Sequence, residues 1–197
     1  DLESPIGAIG NLIRQQDLNP FVTWWECLEI GERDMYFTQI RNSSSFTTMI
    51  CEDLARSDPA HTYLRALGPN LVFVLLMDGP QIPTRWPARY ATVIADDPGS
   101  SVLTLTSYGL IERSNFNRSL PSHSIGLWRD DSGQSIELHC PRGEHAVLLT
   151  LSGKQADEIT IDARPNEDSR AWRYHGHRSI KLSQRTIDEN DYTWIFD

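Results

Sequence analysis

The sequence predicts an α/β layered fold, and three observations predict it. Between residues 46 and 106 the patterns alternate strand, helix, strand, helix, strand, as when helices pack on a largely parallel sheet. One of those strands, Leu71 to Met77, contains no polar residue, which suits a strand buried on both faces. The 197 residues, 39% of them apolar, suffice for one sizeable core.

The elements follow in chain order. Ile6, Ile9, Leu12 and Ile13 recur at helical spacing, so residues 5–16 predict a helix, which Asp17 to Pro20 breaks. Phe21 to Ile30 is dense in aromatic and apolar groups and closes at Gly31. Phe46 to Ile50 is rich in β-branched residues and predicts a strand. Asp58-Pro59 resembles an N-cap with proline at the first helical position, and Gly68-Pro69 is the matching stop, giving a short helix from about Ala60 to Leu67. Asp78-Gly79-Pro80 ends the apolar strand with turn chemistry. Trp86, Tyr90, Val93 and Ile94 then mark a second amphipathic helix, stopped by Asp97-Pro98-Gly99. Ser101 to Thr106 is a strand. Ser124 to Trp128 and Ser135 to Cys140 flank Asp130-Asp131-Ser132-Gly133 as a hairpin. Ala146 to Leu151 predicts a further strand, and Glu158 to Ile161 another.

Residues 1–163 form the main body on this reading, and from Pro165 the chain turns polar and charged. Residues 164–197 are therefore expected to be an extension that packs on a partner or a neighbouring domain. The first residue is aspartate, so the chain is expected to be part of a longer polypeptide.

Composition limits the function classes. The net charge is −9, from 18 basic and 27 acidic side chains, the wrong sign for a surface that wraps nucleic acid. Arg164, Arg170, Arg173 and Arg178 make the tail loosely basic, but acidic residues are interleaved with them, so direct nucleic-acid contact is not expected. Trp24, Trp25 and Trp86 sit in apolar, periodic contexts that favour packing over base stacking. The longest apolar run is far too short to span a bilayer. Cys27, Cys51 and Cys140 are widely spaced and odd in number, which suits a reduced, cytoplasmic setting better than a disulfide framework. No glycine-rich phosphate loop follows a strand. His175 and His177 have the spacing of a metal pair with no third ligand suggested nearby. Neither a metal nor a cofactor is expected.

The chemistry centres on Cys51. It ends an apolar strand and begins Cys51-Glu52-Asp53-Leu54-Ala55, which favours a turn into helix. A thiol there gains from the local dipole, and the Glu52 N–H is placed to donate to an oxyanion. The alternative is that Cys51 is a small buried hydrophobe. Asp53 suits a structural cap better than an acid catalyst, and His61 has no evident triad partner.

Thr48-Met49-Ile50-Cys51-Glu52-Asp53-Leu54 resembles the nucleophile motif of the nitrilase, or carbon–nitrogen hydrolase, superfamily. The Cys-Glu-Asp-Leu variant is similar to the glutaminase domains of glutamine-dependent NAD synthetases. Gly68 to Val72 with Met77 to Pro80, Arg89-Tyr90-Ala91 with Ser107-Tyr108-Gly109, and Ile136 to Gly143 extend the resemblance in order over residues 18–163. A narrower resemblance, through Trp24 to Glu29, Ile50 to Pro59 and Asp97 to Ser107, is to nitrilase domains fused to bacterial defence-associated reverse transcriptases.

The resemblance implies the C-terminal portion of an α-β-β-α sandwich that assembles as a homo-oligomer, with a reverse transcriptase domain in the same polypeptide. It implies a glutamate base, a lysine and the cysteine acting on a small-molecule amide or nitrile through a thioester. Glu26, with Glu29 as fallback, would position substrate, and Asp78, Gly79, Thr106 and Ser107 would line the pocket. The sequence departs from the family at the lysine: the only two, Lys154 and Lys181, lie far from the stretch around Arg14 to Leu18 where it belongs. Arginine is a poor substitute for a compact ammonium. Two functions follow: a thiol hydrolase completed by groups upstream, or a catalytically degenerate module used for oligomerisation or docking.

Overall fold

The computed structural model describes residues 34–40, 44–116, 118–155, 158–159, 163, 165–166 and 170–182. The helix expected at 5–16, the segment 21–30 and Glu26 lie outside them. The chain divides into two compact units, Asp1–Asp34 and Met35–Asp197, and the architecture below is that of the second.

A six-stranded mixed sheet runs in the order of the chain. Its strands are β1 (Phe37–Ile40), β2 (Ser44–Ile50), β3 (Leu71–Leu76), β4 (Ser101–Thr106), β5 (Ser124–Arg129) and β6 (Ser135–His139). β2, β3 and β4 are parallel, with Ile50 opposite Leu75 and Leu76 opposite Thr106. β1, β5 and β6 are antiparallel to their neighbours. The crossover from β2 to β3 contains a 3-10 turn (Cys51–Ala55), a π turn (Ser57–His61) and helix α1 (Thr62–Leu67). α2 (Trp86–Asp96) joins β3 to β4, and α3 (Tyr108–Asn115) joins β4 to β5.

β3 is apolar along its whole length, and both faces of the sheet carry a packed layer. On one face Met49, Val72, Val74, Leu76 and Val102 pack with Leu54 from the turn, Leu64 from α1 and Ala91 and Ile94 from α2. Each fully buried leucine or isoleucine contributes about 1.5–3 kcal/mol. On the other face Leu71, Leu103, Trp128 and Leu138 form a second cluster. It is covered by an antiparallel ribbon of β7 (Ala146–Gln155) and β10 (Arg170–Ile180), through Val147, Leu149, Leu151, Trp172 and Tyr174. β8 (Glu158–Ile159) and β9 (Pro165–Asn166) make a separate short pair. The coarse class is therefore α/β, as the alternation predicts.

The ribbon is fastened to the sheet by polar groups. Ser101 Oγ donates to the Trp172 carbonyl at 2.7 Å, and Asn70 Nδ2 donates to the Arg170 carbonyl at 2.8 Å. Arg173 pairs with Asp131 at 2.5 Å, in the turn of the β5–β6 hairpin. Gly133 closes that turn at φ 85°, where a side chain would be strained.

Regular α-helix starts at Thr62 rather than Ala60, because the residues before it, Ser57–His61, form the π turn; Asp58 itself is extended at φ −132° and ψ 133°, as an N-cap is. It stops where expected, with Gly68 left-handed at φ 54°. The buried face of α2 is mostly alanine: Ala88, Ala91 and Ala95 join Ile94, while Val93 is exposed. Small residues let the helix lie close to the sheet, which a count of bulky residues does not detect. Tyr174 donates its hydroxyl to, or accepts from, His177 Nδ1 at 2.7 Å. Among the described residues no group of three or more His, Cys, Asp or Glu is arranged to hold a metal ion. None of their helices is long and apolar enough to cross a membrane.

Candidate active site

Cys51 follows the last residue of β2 and opens the 3-10 turn. Its φ is 49°, so it is one of two described non-glycine residues with a left-handed backbone, Ala163 being the other. That conformation costs an ordinary L residue about 1–2 kcal/mol. The surroundings hold it there. The Asp53 carboxylate accepts from the Ile50 N–H at 3.4 Å, and the Arg56 N–H donates to the Asp53 carbonyl at 3.3 Å. Leu54 is completely buried in the helix-side core. His61, also buried, donates from Nε2 to the Leu54 carbonyl at 2.8 Å. Because a carbonyl only accepts, this bond places the ring proton on Nε2. Asp53 is thus a cap, and His61 is an anchor for the turn.

The thiol is half-buried rather than sealed in. It faces an open groove of about 410 Å³ whose described lining is Cys51, Glu52, Ala55, Trp86 and Tyr90. Trp86 and Tyr90 come from the first turns of α2. Their rings meet edge to face at 6.0 Å and 72°, and Tyr90 meets His61 in the same manner at 6.5 Å and 77°. The Glu52 carboxylate sits at the exposed rim, paired with Arg56 at 3.5 Å. As the second residue of the turn, Glu52 has a main-chain N–H with no acceptor inside it. Cys140 differs: it is buried, and burial pushes its thiol pKa up.

The other predicted pocket residues occupy the C-terminal ends of β3 and β4, beside the end of β2. Asp78 Oδ1 accepts from the Gly79 N–H at 2.7 Å and pairs with Arg85. Thr106 Oγ1 donates to the Asp78 carbonyl at 2.5 Å. Ser107 caps α3, its Oγ accepting from the Leu110 N–H at 3.4 Å. Gly79 is closely surrounded, because a Cβ there would lie 3.0 Å from Ser114 Oγ and 3.2 Å from an Arg85 nitrogen. These four residues brace the turns between the sheet and α2 and α3, whereas Cys51 and Glu52 line the groove.

Sequence reasoning did not assign Trp86 and Tyr90 to the site. The available signal was positional. Trp86 opens the helix that follows β3, and such helix starts lie over the C-terminal edge of parallel strands, where β2 also ends.

No family model matches the chain, and no curated protein matches it. Among solved structures it is similar to glutamine-dependent NAD+ synthetase from Acinetobacter baumannii in complex with ADP. The identity is 15% and the TM-score 0.37, over 55% of this chain and 19% of that one. A superposition that shallow does not define a shared fold.

Proposed function

We propose that this chain carries the nucleophile of a nitrilase-type thiol hydrolase acting on a non-peptide amide or nitrile C–N bond. The observation that supports it best is the left-handed Cys51 at the end of a parallel strand, facing an open groove. A backbone conformation of that cost at a half-buried thiol has a physical rationale if the thiol must project from the sheet edge. The resemblance of Thr48 to Leu54 to the nitrilase motif points the same way.

The chemistry for an amide runs in two stages. The Cys51 thiol loses its proton to a base as sulfur bonds to the carbonyl carbon. The tetrahedral oxyanion takes a hydrogen bond from the Glu52 N–H. The C–N bond breaks, the nitrogen leaves with a proton, and a thioester remains. Water then attacks that thioester, releasing the acid and restoring the thiol. In the family the base and the stabilising cation are a glutamate and a lysine, and Glu26 would position substrate. The described groove lining supplies neither role, so we assign both to residues beyond it. The longer polypeptide would include a reverse transcriptase domain, on the narrower resemblance alone.

The alternative is a degenerate module used for oligomerisation or docking. The described groove lining favours it in one respect, because it contains no basic side chain beside Cys51.

Intact-mass analysis of the full polypeptide incubated with a panel of carboxamides separates the two. The hydrolase gives an acyl adduct on Cys51 that disappears in Cys51→Ala, with free acid accumulating. A Cys51→Ala protein that retains all biological activity contradicts the hydrolase.

A further inference from the structure

The groove has a built wall. His61 is held by the Leu54 carbonyl, Tyr90 meets His61, and Trp86 meets Tyr90, so three rings stand edge to face in series. The series starts on the turn that positions Cys51. Nucleophile and wall therefore share one anchor, and their separation is set by the core rather than by a surface loop. Trp86 and Tyr90 are only partly buried while packing against the helix-side core. They present ring surface to the groove beside the Ala55 methyl. Among the described lining residues the one carboxylate, Glu52, already has Arg56 as a partner.

We infer that the groove takes an uncharged carboxamide or nitrile bearing a flat, apolar substituent, an aromatic ring for preference, laid against Trp86. This rests on Cys51 being the nucleophile and adds the substrate class. A groove of about 410 Å³ has the size of a small-molecule site, in which apolar walls supply affinity and a few polar groups fix orientation. Aromatic surface laid on rings gains from offset or edge-to-face contact beyond simple burial.

The test uses two chloroacetamides with the same electrophile, N-methyl and N-benzyl, on the full chain near neutral pH. Peptide mapping follows Cys51, and free N-acetylcysteine supplies the intrinsic ratio of the two rates. The benzyl-to-methyl ratio at Cys51 should exceed the free-thiol ratio by at least about threefold. Trp86→Ala should return it to the free-thiol ratio, and Trp86→Phe, which keeps a ring, should retain part of it. A Cys51 that outpaces free thiol with the methyl probe but shows no benzyl preference overturns the substrate class and leaves the nucleophile standing. A preference that survives in Trp86→Ala overturns the role of the wall. A methyl probe that reacts no faster than with free thiol overturns the nucleophile, and this inference with it.

Discussion

The Nε2–H of His61 donates to the carbonyl of Leu54 across 2.8 Å of buried space. That single bond joins the turn beginning at Cys51 to the ring series on α2. Replacing His61 with leucine leaves the Leu54 carbonyl without a partner, which costs about 1–3 kcal/mol. The denaturation midpoint should fall accordingly. Alkylation of Cys51 should slow as well, because the turn that holds the thiol loses its tie.

The left-handed φ of Cys51 predicts an inverted order of stability among its variants. Glycine adopts φ near 49° without strain, whereas alanine carries the same Cβ penalty as cysteine. Cys51→Gly should therefore be as stable as Cys51→Ala or up to about 1 kcal/mol more so, where an ordinary position favours alanine by roughly 0.5–1 kcal/mol. Thermal denaturation of the two variants side by side checks it. A clearly more stable alanine variant speaks against a strained turn.

Asp78 predicts a separation of stability from reactivity. Its carboxylate holds the Gly79 N–H and Arg85, so Asp78→Ala leaves a largely buried cation unpaired and should cost about 1–3 kcal/mol. If Asp78 braces the loop and does not touch substrate, iodoacetamide should still find Cys51 at close to the wild-type rate in the folded variant. A collapse of that rate at unchanged stability places Asp78 in the pocket instead.

Asp130 predicts an acid-sensitive hairpin. It is 4% exposed. Burial alone raises its pKa, but hydrogen bonds from Ser132 and the Trp128 indole, with Arg173 nearby, outweigh burial and hold it below the ordinary 3.8. A group whose folded pKa is depressed adds stability that is fully present above its unfolded value. That stability is lost as pH falls through the folded value. The denaturation midpoint should drop steeply below about pH 4. Asp130→Asn should be less stable at pH 7 and show a shallower fall.

Much of this fold was legible because its signals are local. The apolar run from Leu71, the stop at Gly68 and the Asp130 to Gly133 turn each carry their own chemistry. The ribbon was not. β10 alternates charged and aromatic residues, and only its pairing with β7 across the Trp128 cluster makes Trp172 and Tyr174 core residues. Helix α3 was also missed, since Tyr108 to Asn115 buries chiefly Ile111. At the site, the strand end and Cys51 could be read from sequence. The φ of 49° could not, because no residue type around Cys51 signals it, and the burial of Leu54 and its bond to His61, ten residues from Cys51, are seen only in the folded chain. Trp86 was read as an ordinary apolar helix position, and only the folded chain sets it beside the thiol.

The most direct measurement is the second-order rate of iodoacetamide with Cys51 near pH 7 in the full polypeptide, read by peptide mapping. Cys140 is the internal control, because its burial and raised pKa keep it a protonated thiol. An activated nucleophile at Cys51 reacts faster than free cysteine, with Cys140 silent. A rate equal to or below that of free cysteine, in protein shown to be folded, contradicts it.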